Sequence, residues 1–265
     1  MGKIILSDCV LGMKNMDAES VDICVTSPPY NLNIKYGTYQ DNKPRDSYLL
    51  WLNDVFGEIK RVLKPEGHFF LNMGYSNIDP WVGMDVANVA RQHFVLQNNI
   101  NWVKSIYVDG KTSGHFKPIN SNRFSNPTWE HLFHFTKDGA VNVNKLGVGV
   151  PYEWKSNIDR FDQSSDLRCR GNSWFVPYDT ISNRNKHRGS HPATFPVALA
   201  EMCIQFSGAS GLLLDPFMGS GTSGVAAVNQ GLDYIGFDID QNYIDFAEDR
   251  IADVSTFHKI FEKSS

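Results

Sequence analysis

Leu212-Leu213-Leu214-Asp215-Pro216-Phe217-Met218-Gly219-Ser220-Gly221-Thr222 is the stretch on which the fold turns. Three leucines ending in Asp-Pro read as a short strand buried on both faces, and Ser220 to Gln230 reads as the helix that follows. Small residues between the two let backbone N–H groups approach a ligand bearing a carboxylate or phosphate at the helix start. Onward from there, Tyr234-Ile235-Gly236-Phe237 reads as a second strand tipped by Asp238, 23 positions after Asp215. A carboxylate at that place suits ribose hydroxyls, as in dinucleotide-binding folds. Only one more helix follows, Gln241 to Ile251, so the third strand of this half-sheet must come from elsewhere. Lys3-Ile4-Ile5-Leu6, followed by Ser7-Asp8, is the candidate.

The same short, near-continuous apolar character marks Asp22 to Thr26 and His68 to Met73. Helical spacing connects them: Leu49, Leu52, Val55, Phe56, Ile59, Val62 and Leu63 recur every three to four residues from Asp46 to Lys64, with Asp46 as N-cap and Pro65-Glu66-Gly67 as the stop. Phe195 to Phe206 reads as a further helix. Strands alternating with helices predict an α/β fold with a mainly parallel sheet. From about Lys104 to Arg188 the chain changes character, rich in Asn, Ser, Gly, Asp and Arg, and only Trp129 to Thr136 reads as a firm strand within it.

Thr26-Ser27-Pro28-Pro29-Tyr30 follows the strand that starts at Asp22. Two prolines stiffen the turn, which aims the Ser27 hydroxyl, the Pro28 carbonyl and the Tyr30 ring at one point. That point suits a planar amine. An exocyclic amine on a base is a poor nucleophile because its lone pair is delocalised into the ring. Two acceptors for its N–H protons concentrate the lone pair on nitrogen.

Together these two motifs resemble the amino-methylating DNA methyltransferases, the N4-cytosine and N6-adenine family, in the permuted β-class order with the catalytic motif before the cofactor motif. The motifs span Leu6 to Asp240. The resemblance implies a Rossmann-like S-adenosylmethionine-dependent methyltransferase fold with a mainly parallel seven-stranded sheet and an inserted target-recognition region. It implies S-adenosyl-L-methionine as cofactor, double-stranded DNA as partner, and base flipping to bring the amine to the turn. The catalytic residues would be Ser27, Pro28, Pro29 and Tyr30. The cofactor residues would be Asp8, His191, Pro192, Phe195, Asp215, Phe217, Gly219, Gly221, Thr222 and Asp238, with Asp240 structural. Ser27 at the first motif position is typical of cytosine-N4 enzymes, and N6-adenine is the alternative. A nicotinamide-dependent oxidoreductase is a second class, because Gly219-x-Gly221-x-x-Gly224 also fits the dinucleotide fingerprint.

Residues 1–136 are expected to form the catalytic half of the domain, 137–188 the target-recognition insertion and 189–265 the cofactor half. The formal net charge of −4 argues against nucleic acid on its face, yet Arg168, Arg170, Arg184, Lys186 and Arg188 stand against Asp179 alone. Those five are the expected DNA-binding residues, with Tyr107 to Pro127 a second DNA-facing loop. Tyr36 to Pro44 reads either as a flap over DNA or as a passive surface loop. Cys9, Cys24, Cys169 and Cys203 lack C-x-x-C spacing, so neither a metal site nor a disulfide framework is expected. His68, His131 and His134 read as satisfied core or edge histidines rather than ligands. With no secretory h-region and no run approaching a membrane span, a cytoplasmic location and no membrane partner are expected. A cognate restriction endonuclease and a homodimer are compatible with the family.

Overall fold

The computed structural model describes residues 2–34, 38–114, 119–160, 164–177 and 195–262, with side chains to 256. In chain order the elements are β1 (Lys3–Leu6), α1 (Cys9–Met13), β2 (Val21–Thr26), α2 (Arg45–Val62), β3 (Leu63–Met73), α3 (Val82–Ala90), β4 (Val95–Val103), β5 (Ser105–Val108), β6 (Lys111–Gly114), β7 (Trp129–Thr136), β8 (Val150–Pro151), α4 (Ser156–Arg160), β9 (Leu167–Arg168), β10 (Ser173–Phe175), α5 (Val197–Ser207), β11 (Leu212–Asp215), α6 (Thr222–Asn229), β12 (Asp233–Asp238) and α7 (Gln241–Glu262).

The main sheet has the order β1-β12-β11-β2-β3-β7-β4-β10. Its first five strands are parallel, and β7 alone runs against its neighbours β3 and β4. β1 pairs with β12 from Lys3 opposite Ile235 to Leu6 opposite Asp238, the place expected for a third strand taken from the other end of the sequence. Seven strands match the expected α/β sheet, and the eighth, β10, comes from the region expected to be an insertion. It is held by Trp174, which is fully buried, and by Trp102, whose Nε1 donates to the Val176 carbonyl at 2.7 Å.

Hydrophobic burial on both sheet faces explains the strands' unbroken apolar runs. On one face Tyr48, Leu52, Val55, Phe56 and Ile59 of α2 pack with Phe69, Leu71 and Phe135. On the other, Leu199, Cys203, Ile204 and Phe206 of α5 cover Ile23, Val25, Phe70 and Leu213.

Three expectations are corrected. Asp46 is not the N-cap of α2: the cap is Pro44, whose fixed φ of −50° leads into Arg45 as first helical residue. Nor do Pro65-Glu66-Gly67 end the helix. It ends at Val62, and the three residues form a bulge in β3, whose pairing jumps from Leu63 opposite Val21 to His68 opposite Ile23. The stretch expected to be a loop, Tyr107 to Pro127, begins instead within a hairpin, β5–β6, turned by Asp109 and Gly110 at φ 52° and 76°.

Candidate active site

The chain leaves β2 toward β3 on one side and β11 toward β12 on the other, so the sheet order reverses between β11 and β2. In open α/β sheets the crevice at such a reversal, beyond the carboxyl ends of the strands, is where ligands bind. A cavity lies there, walled by residues from the ends of four parallel strands. Ser7 and Cys9 follow β1, Ser27 to Tyr30 follow β2, Pro216, Phe217 and Gly219 follow β11, Asp238 ends β12 and Ile239 follows it. Thr38, Tyr39, Trp51 and Tyr243 complete the wall.

The two quoted motifs are joined directly. Thr26 Oγ1 donates to Asp215 Oδ1 at 2.6 Å, which fixes the start of the Ser-Pro-Pro-Tyr turn against the start of the glycine loop. Asp215 also accepts from the Phe217 N–H at 3.0 Å and from Ser223 Oγ. Burial pushes its carboxyl up to about 6, against the pull of those hydrogen bonds. Tyr48 Oη donates to the Pro29 carbonyl at 2.7 Å, so α2 holds the turn from below and commits that oxygen. The loop after the turn is stapled by Asp41, which is buried and accepts the N–H groups of Asn31, Leu32 and Ile34 at 2.8 to 3.0 Å. Lys43 Nζ stands over the rings of Tyr39 and Trp51 at 4.9 and 4.6 Å, and Trp51 meets Phe217 edge-on at 5.5 Å.

Within the glycine loop, the Gly219 N–H donates to Asp238 Oδ2 at 2.9 Å, while Asp238 Oδ1 accepts the Asp240 N–H at 2.9 Å. Burial raises the Asp238 carboxyl above its ordinary value. The Ile239 N–H acts on it as well, which leaves the carboxylate one of its roughly four acceptor sites for a further donor. Gly221, at φ 76°, stands where a Cβ would come within 2.8 Å of Ala247 Cβ. Arg250 of α7 secures the helix start, donating to the Ser220 carbonyl at 2.9 Å and to Thr222 Oγ1 at 3.1 Å. Asp240 accepts the Asn242 N–H at 3.0 Å and so caps α7.

Of the residues singled out from sequence, the fold brings Ser27, Pro28, Pro29, Tyr30, Phe217, Gly219 and Asp238 to one cavity wall. Asp215, Gly221 and Thr222 lie behind it. Asp8 caps α1, its Oδ1 accepting the N–H groups of Val10 and Leu11 at 2.9 and 3.1 Å. Phe195 packs on the core beneath α5. Arg168 is exposed in β9, and Arg170 Nε donates to the Val148 carbonyl at 2.9 Å. His191, Pro192, Arg184, Lys186 and Arg188 fall outside the described residues. Cys9, at the wall, is no nucleophile, since burial pushes its thiol up to about 12.

Sequence reasoning missed the polar group behind the turn. Tyr30 Oη lies 2.9 Å from Ser27 Oγ, 3.1 Å from Glu130 Oε2 and 2.8 Å from Asn72 Nδ2. Lys104 Nζ pairs with Glu130 Oε1 at 2.9 Å. Tyr39, Trp51 and Tyr243 were missed as well. Aromatic residues at helical or loop spacing carry no signal that separates a cavity wall from a core.

Residues 21–249 match the family described as DNA methylase, which unites N6 and N4 amino-methylases. Among curated proteins, the Type II methyltransferase M.HpaI of Haemophilus parainfluenzae is 29% identical over 264 residues, spanning 98% of this chain and 78% of its own. The DNA adenine methyltransferase YhdJ of Escherichia coli (strain K12) is 27% identical over 251 residues, spanning 91% and 79%. The solved structure of the PvuII DNA methyltransferase (cytosine-N4-specific) superposes with a TM-score of 0.70 at 18% identity, covering 96% of this chain and 91% of its own. That likeness shows a shared fold.

Proposed function

Since this chain belongs to the N6/N4 DNA methylase family and is a DNA methyltransferase, we propose that it methylates the N4 amino group of cytosine at specific sites in duplex DNA. The observation that carries the reading is the Ser27-Pro28-Pro29-Tyr30 turn facing Phe217, Gly219 and Asp238 across a single cavity. S-adenosyl-L-methionine is the cofactor. It supplies, when bound, a sulfonium-linked methyl group open to attack by a nitrogen lone pair.

The residues present fit that group. Gly219, with no side chain, and the Phe217 ring leave room for a ligand along the glycine loop, and the acceptor site left on Asp238 takes a ribose hydroxyl. Asp215, Gly221 and Thr222 act from behind by fixing the loop. Asp8 fixes the turn that carries Ser7 and Cys9 to the wall. On the opposite side Ser27 Oγ and the Pro28 carbonyl accept the two N–H groups of the target amine. Tyr39, Trp51 and Tyr30 exclude water and present ring faces to a base turned out of its helix. No group on the protein needs to form a covalent bond; positioning supplies the rate.

Residues 137–188 form the target-recognition region in this reading, with Arg168, Arg170, Arg184, Lys186 and Arg188 on phosphates. The kinship with a Type II methyltransferase supports a role beside a restriction endonuclease. Methylation of adenine N6 is the second reading, favoured by the resemblance to a DNA adenine methyltransferase. A hydroxyl at Ser27 accepts an amine proton from either base, and the serine favours cytosine.

Purified protein incubated with mixed-sequence duplex DNA and methyl-labelled S-adenosyl-L-methionine, followed by nucleoside digestion and mass analysis, tests the proposal. Label in N4-methylcytosine is the expected result. Label in N6-methyladenine moves the conclusion to the second reading, and no label in DNA overturns both.

A further inference from the structure

Tyr30 Oη meets three side chains as well as the Gly74 N–H, and the chemistry of the side-chain partners orders the protons among them. Asn72 Nδ2 donates to it at 2.8 Å and also to Glu130 Oε2 at 2.8 Å. The reverse amide orientation would set a carbonyl oxygen against a carboxylate. Glu130, paired with Lys104, accepts only, so the single phenol proton points at Glu130 Oε2 over 3.1 Å. Tyr30 therefore accepts at its 2.9 Å contact with Ser27, and the Ser27 proton points at Tyr30 Oη. Both lone pairs of Ser27 Oγ are left for an incoming amine. Gly74 makes this packing possible, because a Cβ there would lie 2.6 Å from Tyr30 Cε2 and 3.1 Å from Glu130 Cδ.

We propose that Glu130 is a positioning residue for methyl transfer, orienting the Ser27 hydroxyl through Tyr30 and serving as the final acceptor of the amine proton. The inference rests on the reading of Ser27 as the amine's hydrogen-bond acceptor. Once the C–N bond has formed and the donor's methyl–sulfur bond has broken, its electron pair staying on sulfur, the amine nitrogen carries one proton in excess. Its N–H bond breaks as that proton passes to Ser27 Oγ, the Ser27 proton passes to Tyr30 Oη, and the Tyr30 proton passes to Glu130 Oε2. One N–H is lost, one carboxyl O–H is gained, and Ser27 and Tyr30 end as they began. The Glu130 side chain is 16% exposed, enough to return the proton to water before the next turnover.

Three variants test this: Glu130→Gln, Tyr30→Phe and the pair together. The first readout needs neither DNA nor donor. In protein labelled at the tyrosine Cζ with carbon-13, the Tyr30 signal, assigned by its loss in Tyr30→Phe, shifts toward that of ordinary phenols in Glu130→Gln. The second is the single-turnover rate of methyl transfer to duplex DNA against pH. Glu130→Gln loses roughly a hundredfold near neutrality and recovers part of it as pH rises and hydroxide takes the proton, while donor affinity stays at the wild-type value. The double variant is no slower than the worse single variant, because both break one chain. An unmoved Tyr30 signal, losses that multiply in the double variant, or a wild-type rate in Glu130→Gln each overturns the proposal. A wild-type protein that transfers no methyl group to any DNA refutes the proposed function instead, and the Tyr30 signal then decides the proton arrangement by itself.

Discussion

His68 and His134 show how a residue's surroundings decide its chemistry. His68 Nδ1 lies 3.0 Å from His134 Nε2, and Asn98 Nδ2 lies 2.9 Å from His134 Nδ1, so one run of hydrogen bonds satisfies both rings without charge. Burial pushes His68 down to about 4 and His134 down to about 3. In the unfolded chain both take up protons near pH 6.5, so the unfolded state binds more protons below that pH. Stability is then full above pH 6.5 and falls as pH drops toward 4, by on the order of 3 kcal/mol for His68 alone. Asp215 acts with the opposite sign between pH 6 and 4, because its raised carboxyl binds a proton more readily when folded. The two histidines together outweigh it. Urea titrations between pH 7 and 4.5 are expected to show this fall, and a His68→Asn/His134→Gln protein to show a flatter profile. The core assignment of these histidines was legible in the apolar strands around them. The chain Ser27–Tyr30–Glu130 was not: Tyr30 and Glu130 are 100 positions apart, and only the antiparallel pairing of β3 and β7 brings them together.

At the scale of elements, legibility follows the strength of the local signal. β7 was read to its ends, Trp129 and Thr136, because its apolar run is long and bounded by polar sequence. α1, with five residues, has too few turns to show periodicity, and β4 is interrupted by Gln97, Asn98, Asn99 and Asn101. The hairpin β5–β6 did carry a signal in Asp109-Gly110, hidden in polar surroundings. β10 is three residues long and is a strand only because Trp174 finds a pocket beside Trp102. The glycine loop depends on contact between α6 and α7. Gly221→Ala places a Cβ against Ala247 at a left-handed φ, so a loss of about 1–3 kcal/mol in stability is expected by chemical denaturation. Donor affinity, measured by calorimetry, is expected to fall with it by at least about tenfold, since that is 1.4 kcal/mol.

For the molecule as a whole, the cavity gathers the carboxyl ends of four parallel strands, and a ligand bound there stabilises them together. At a hundred times its Kd, S-adenosyl-L-methionine is expected to add about 2.7 kcal/mol to the folded state, seen as a rise in Tm, while a nicotinamide dinucleotide leaves Tm unchanged. Charge acts at this scale too. The chain is acidic overall at −4, so duplex binding depends on local cations. Arg168→Ala is expected to weaken DNA binding uniformly across sequences and to reduce the slope of log affinity against log salt by about one, in fluorescence anisotropy at several salt concentrations. The parallel order of the sheet was legible from alternating strands and helices. The approach of Thr26 to Asp215, 189 positions apart, was legible only as two motifs in want of a common place.

The pairing of β1 with β12 also sets a clock on biosynthesis. One side of the cavity is made early on the ribosome, with Ser7, Cys9 and the Ser27 turn, and the other side appears only when Asp238 has left the exit tunnel. A nascent chain still short of β12 carries the Ser27 turn with nothing opposite, so the cavity is incomplete until Asp238 has emerged.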